Sequence, residues 1–184
     1  MDLAWLDRAA LQGHGVVSLE ECLTQGLTRT DVSRLVREGL LVRMLPRVYR
    51  TAGAAPTFQQ SVWAAHKWAG DSAVFSHRTA LKLRRWPAPP GRHVDMSTMM
   101  KRRAPAKWLD LHFTRRDPFG ETISIGGLPV TGPGRSLLDA ASSMNSIRLD
   151  MALDHALRVG QVTVTDLLTT LIEAGGRAAR APAG

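Results

Sequence analysis

The chain has a single cysteine, Cys22, a single tyrosine, and aromatic residues at only 5% of its 184 positions. One cysteine excludes an intramolecular disulfide and any cysteine-rich zinc site, and leaves Cys22 to be read as a small core residue. No stretch reaches the roughly 20 uninterrupted apolar residues that a membrane helix needs. The start, Met1-Asp2-Leu3-Ala4-Trp5, lacks the basic region and apolar core of a signal peptide. A cytoplasmic protein without a membrane partner is expected. Catalytic signatures are missing too. There is no P-loop, no glycine-serine followed by paired aspartates as in nucleotidyltransferases, and no Asp with a Glu-x-Lys as in many nucleases. A non-enzyme with no catalytic residues, metal or cofactor is expected, associated with the nucleoid if it binds DNA.

What the sequence has in excess is positive charge. Its 24 Lys and Arg against 16 Asp and Glu give a formal charge of +8. The excess sits in the middle: residues 51–120 hold 12 basic against 4 acidic side chains, whereas 1–50 hold 7 against 6 and 121–184 hold 5 against 6. A cationic surface attracts phosphate backbones and acidic partners alike, so local pattern has to decide between them.

That pattern is clearest in the first fifty residues. Asp2 to about Leu11 reads as a helix ended by Gly13-His14-Gly15. Ser18 with Glu21 makes a capping box, flanked by Val17 and Cys22 at the staple positions, and Gly26 closes the helix. The device repeats at once with Thr28 and Asp31, the staple Leu27 and Val32, and the stop at Gly39. Two short helices joined by a tight glycine turn are a helix-turn-helix. At 100° per residue the last helix puts Val32, Leu35 and Val36 on one face, and Arg29, Thr30, Ser33, Arg34 and Arg37 on the other. Guanidinium groups on such a face pair with guanine edges or phosphates in the major groove. Two β-prone runs follow, Leu40–Leu45 and Val48–Thr51, separated by Pro46-Arg47 and carrying Arg43, Arg47 and Arg50. A basic hairpin after an Arg-faced helix reads as the wing of a winged helix.

The expected fold class is α+β: a winged helix-turn-helix over 1–52, a small mixed α/β domain with a short sheet and C-terminal helices over 57–175, and a flexible tail over 176–184. Thr51–Pro56, a Gly/Ala/Pro stretch, is the expected boundary. Beyond it, Thr57–Ala69 reads as a helix and Ser76 as the cap of another through Arg85, with His77 in its first turn given a structural role. His93–Ser97, Leu109–Thr114 and Thr122–Ile125 read as strands. In the second, Leu109, Leu111 and Phe113 alternate with Asp110 and His112, as in a sheet with one buried face. Lys101, Arg102, Arg103 and Lys107 form a basic run that is either a solvated loop or a source of secondary phosphate contacts. His93-x-Asp95 and Asp110-x-His112 lack the further carboxylates of a metal site. Gly126–Gly134, read as a strand and tight turns, leads into a helix from about Arg135, another spans Ile147–Val159, and Thr163 with Asp166 boxes a last one.

Taken in order, His14-Gly15-Val16-Val17-Ser18, Arg47-Val48-Tyr49-Arg50, Ser76-His77-Arg78-Thr79-Ala80, Leu128-Pro129-Val130-Thr131 through Arg135-Ser136-Leu137-Leu138-Asp139, and Ala152-Leu153-Asp154-His155-Ala156-Leu157-Arg158 resemble the AbiEi family of type IV toxin–antitoxin antitoxins. The resemblance implies a winged helix that binds double-stranded DNA at its own promoter and represses its operon. It also implies a following domain that counters a nucleotidyltransferase-like toxin encoded nearby. Two departures stand out. Relatives often have Gly before Val-Tyr, where this chain has Arg47, and many continue into a domain resembling a Vsr-type endonuclease. The alternative reading is therefore the DNA-targeting part of a Vsr-like endonuclease-family protein without its catalytic domain.

Overall fold

The computed structural model describes residues 14–178, apart from 54, 116, 119 and 121. The helix expected over Asp2–Leu11 lies outside the described residues. The fold is mixed α+β, with seven helices and two small sheets among the described residues. The described residues divide into two compact units, one within 1–73, 91–94 and 101–111, the other within 74–90, 95–100 and 112–184.

The first unit opens with β1 (Val16–Ser18), α1 (Leu19–Thr24) and α2 (Arg29–Arg37), then the hairpin β2 (Leu41–Leu45) and β3 (Val48–Thr51), then α3 (Phe58–Ala69). Both expected capping boxes form. Ser18 Oγ accepts the Glu21 amide at 3.1 Å while Glu21 accepts the Ser18 amide at 2.7 Å, and Thr28 and Asp31 repeat the exchange. Gly26 and Gly39, at φ +86° and +75°, close the two helices with paired bonds back to Leu23 and Cys22, and to Val36 and Leu35. This left-handed C-terminal motif is one that only glycine enters without cost. Val17, Leu19, Cys22, Leu27, Val32, Leu35, Leu41 and Tyr49 make one buried cluster, so the staple residues of both helices meet in the core.

Two features here differ from the sequence expectation. Val16–Ser18 pairs antiparallel with β3, making a three-stranded sheet in the order β1-β3-β2. Three residues are too few to show an alternation. The unit also runs past Thr51–Pro56 to Ala73. α3 carries its own capping box, Thr57 with Gln60, and Gln60 Nε2 donates to the His14 carbonyl at 3.0 Å, while Val62 and Ala65 are fully buried. The helix therefore packs with the winged helix that precedes it, because its apolar face has β1, β2 and β3 to cover.

In the second unit β4 (Val74–Phe75), β7 (Thr122–Ile125) and β8 (Leu128–Thr131) lie beside α4 (His77–Leu83), α5 (Pro133–Ala141), α6 (Ser146–Arg158) and α7 (Val164–Ala178). With β5 (Val94–Thr98) and β6 (Leu109–Phe113) the strands form a sheet in the order β6-β5-β4-β8-β7, in which β4 and β8 run parallel. Ala140, Ala152 and Ala156 let the helices approach closely over Leu81, Trp86, Leu137 and Val162. The Thr163–Asp166 box forms as expected, and α7 continues through Ala178, past the point where the tail was expected to begin.

The alternation expected in β6 fails at its end. Leu109 is buried but Phe113 is 46% exposed, and the half-buried His112 faces a carboxylate instead of solvent. β6 is an edge strand, and its polar face is wanted by Asp95. Ser76 occupies the N-cap position of α4 without making a side-chain cap bond. Its hydroxyl is engaged by His77 Nδ1 at 2.9 Å and by Ser97 Oγ at 2.8 Å.

Candidate nucleic-acid interface

α2 is a nine-residue helix whose apolar side, Val32 and Leu35 with Val36, is held in the first core. The same packing turns Arg29, Thr30, Ser33, Arg34 and Arg37 out together, and all five are exposed. Two are engaged within the helix. Ser33 Oγ donates to the Arg29 carbonyl at 2.9 Å, and Arg34 pairs with Asp31 at 2.9 Å. Asp31 thus serves both the cap and the arginine; the bonds from Thr28, and then the charge of Arg34, hold its carboxyl below the usual carboxylate range. Arg29 and Arg37 make no ion pair among the described residues.

On the hairpin, Arg43 is exposed opposite Tyr49, and Arg47 stands in the turn. Arg47 takes φ +63°, the conformation glycine favours, following Pro46 as the φ > 0 residue of a type II turn does. Its guanidinium pairs with Glu20 at 3.0 Å and its carbonyl accepts the Leu19 amide, so the wing turn is tied to the start of α1. Arg50 is placed differently from its neighbours. It lies half-buried on the central strand between Val16 and Val42, and donates to the Thr51 carbonyl at 3.1 Å.

The basic run 101–107 belongs to this same unit. Lys101, Arg103 and Lys107 are exposed. Arg102 is turned inward, its guanidinium 4.2 Å from the ring centre of Trp68, and burial lowers its pKa. Trp68 and Glu20, which position these cations, were not singled out in the sequence; nothing in the chain spacing links them to residues tens of positions away.

The second unit holds a polar cluster of another kind. Asp95, with no exposed surface, accepts two bonds from Arg78, at 3.0 and 2.7 Å, and faces His112 Nε2 at 3.0 Å. Burial would raise its carboxyl, but the bonds from His112 and Arg78 outweigh that and bring it down to about 2. His77, buried beside them with φ +50°, is pushed to about 4, by burial first and then by the neighbouring His112. Each aspartate of the two alternating pairs meets the histidine of the other: Asp95 with His112, and His93 with Asp110 at 3.3 Å. Among the described residues no group of three or more His, Cys, Asp or Glu is arranged to hold a metal. No described helix is long and apolar enough to cross a membrane.

Among solved structures the fold is similar to that in the crystal structure of the RV2827C protein from Mycobacterium tuberculosis, with a TM-score of 0.60, 15% identity, and coverage of 89% of this chain and 68% of that one. At that identity the likeness concerns the fold alone. No curated protein matches the chain in sequence. A family model described as "Transcriptional regulator, AbiEi antitoxin" matches residues 6–52, the stretch that includes the capped helices and the wing. Over residues 6–52 the chain is thus similar to the AbiEi antitoxin transcriptional regulators.

Proposed function

We propose that the protein is a sequence-specific DNA-binding antitoxin that represses its own operon, and that it acts by binding and without catalysis. The observation that carries this reading is the single exposed face of α2, where Arg29, Thr30, Ser33, Arg34 and Arg37 stand together over an apolar side already committed to the core. That helix is the reading element, with guanidinium groups aimed at base edges, and Arg43 and Arg47 of the hairpin hold neighbouring phosphates. Arg50 acts mainly by supporting the wing. The partners are double-stranded DNA upstream of its own gene and a nucleotidyltransferase-like toxin encoded nearby, met by the second half of the chain.

The test is a reporter driven by the DNA upstream of the gene, combined with footprinting by the purified protein. Repression together with protection of a discrete segment is expected. Uniform, sequence-independent protection with no repression would overturn the autorepressor reading.

A further inference from the structure

Between Lys101 and Lys107 the chain carries four cations and no acid. This run lies some fifty residues beyond the wing, yet it belongs to the same compact unit as the winged helix. Specific contacts hold it there. Arg92 Nη1 donates to the Pro56 carbonyl at 3.1 Å, His93 meets Asp110 at 3.3 Å, and Arg102 stacks over Trp68 at 4.2 Å. Among the described residues the Arg102 Nε and Nη2 atoms are shielded from solvent and have no hydrogen-bond partner, so this guanidinium is committed to the indole face. Trp68 in turn lines a hollow of about 270 Å³ with Pro46, Arg47 and Val48 of the wing turn. Through one tryptophan, the basic segment is attached beside the wing.

We propose that residues 101–107 are a second phosphate-contacting element of the winged-helix unit, in which Lys101, Arg103 and Lys107 meet the DNA backbone and Arg102 positions them. The proposal rests on the DNA-binding reading above and extends it to a surface outside residues 6–52. Such contacts carry no base information. They add to affinity on any duplex, and they add to its salt dependence, because each neutralised phosphate releases condensed counterions. Arg102, turned away from solvent, acts only by fixing the segment.

The experiment is a salt titration of full-length protein on a random-sequence duplex and on the duplex from upstream of its gene. Wild type is compared with Lys101→Ala/Arg103→Ala/Lys107→Ala, Arg102→Gln and Trp68→Phe, each checked for native circular dichroism. The triple variant is expected to lower the log–log salt slope by about 2.7, and to weaken both duplexes by the same factor, leaving their ratio unchanged. Arg102→Gln, which removes no exposed cation, is expected to lower the slope as well. Trp68→Phe keeps an aromatic face and is expected to keep the slope. A folded triple variant with the wild-type slope overturns this inference and leaves the DNA-binding reading standing, whereas wild type without salt-dependent duplex binding overturns both. A lowered slope in the triple variant with an unchanged slope in Arg102→Gln overturns the positioning role of Arg102.

Discussion

The imidazoles of His77 and His112 lie stacked, their ring centres 3.6 Å apart and their planes 17° from parallel. His112 holds the carboxylate of Asp95, while His77 has Ser76 Oγ at its Nδ1 and Arg78 and Arg135 near enough to repel a proton. His77 is therefore kept neutral in the fold. Because its folded pKa, about 4, lies below the ordinary value of 6.5, the unfolded chain binds a proton first as pH falls. Stability is fully present above about pH 6.5, declines as pH falls toward 4, and loses about 3 kcal/mol over that window. His77→Asn keeps an acceptor for Ser76 and tolerates the left-handed backbone. It is expected to flatten this decline in urea titrations repeated across pH; a decline as steep as in wild type would show that His77 does not cause it.

Asp95 carries a dependence of the same sign in a lower pH window. Its carboxyl, lowered to about 2, contributes stability that is present above about pH 4 and is lost only as pH falls toward 2. Asp95→Asn leaves Arg78 and His112 without their anion inside the second unit. Since Arg78 is about a quarter exposed and keeps some hydration, the expected loss is about 2–3 kcal/mol, below the range for a fully buried pair. It should be read as a lower urea midpoint with an unchanged slope.

How far this was legible in sequence depended on the range of the interaction. Ser18, Glu21, Thr28 and Asp31 announce their helices because capping partners are three residues apart and the chemistry is local. The outward face of α2 follows from the same three-residue and four-residue spacing. β1 and β4, at three and two residues, are strands only because other strands supply their hydrogen bonds, and nothing local marks them. The network of Asp95, Arg78 and His112 joins residues 17 positions apart, so sequence showed His112 only as the polar half of an alternation and as part of an Asp110-x-His112 pair too sparse for a metal site. Arg102 was read as one of four equivalent cations. Only Trp68, 34 positions earlier, distinguishes it.

The wing turn makes a separate test. Arg47 adopts a left-handed φ that costs a side chain about 1 kcal/mol or more, partly offset by its exposed pair with Glu20. Arg47→Gly is expected to be at least as stable as wild type, although it binds DNA less tightly. Arg47→Val, branched at Cβ, should lose about 1–2 kcal/mol. Equal thermal midpoints for the two variants would contradict the turn geometry.

Reading of DNA and neutralisation of a toxin should be separable if they fall to different parts of the chain. Arg29→Glu/Arg34→Glu/Arg37→Glu turns three cations into three anions on the exposed face of α2, away from the core. The variant is expected to lose repression of the upstream reporter while still restoring growth to cells that express the neighbouring toxin. A folded, well-expressed variant that fails to restore growth would contradict the division of labour.

The reading role proposed for α2 is tested by affinity at fixed salt for the duplex upstream of the gene and for a random duplex, in wild type, Arg34→Ala and Arg37→Ala. Each substitution is expected to weaken binding to the upstream duplex by about 1–3 kcal/mol while affecting the random duplex less, so that the specificity ratio falls. Wild-type affinity and an unchanged ratio in both variants would contradict the assignment of α2 as the reading helix.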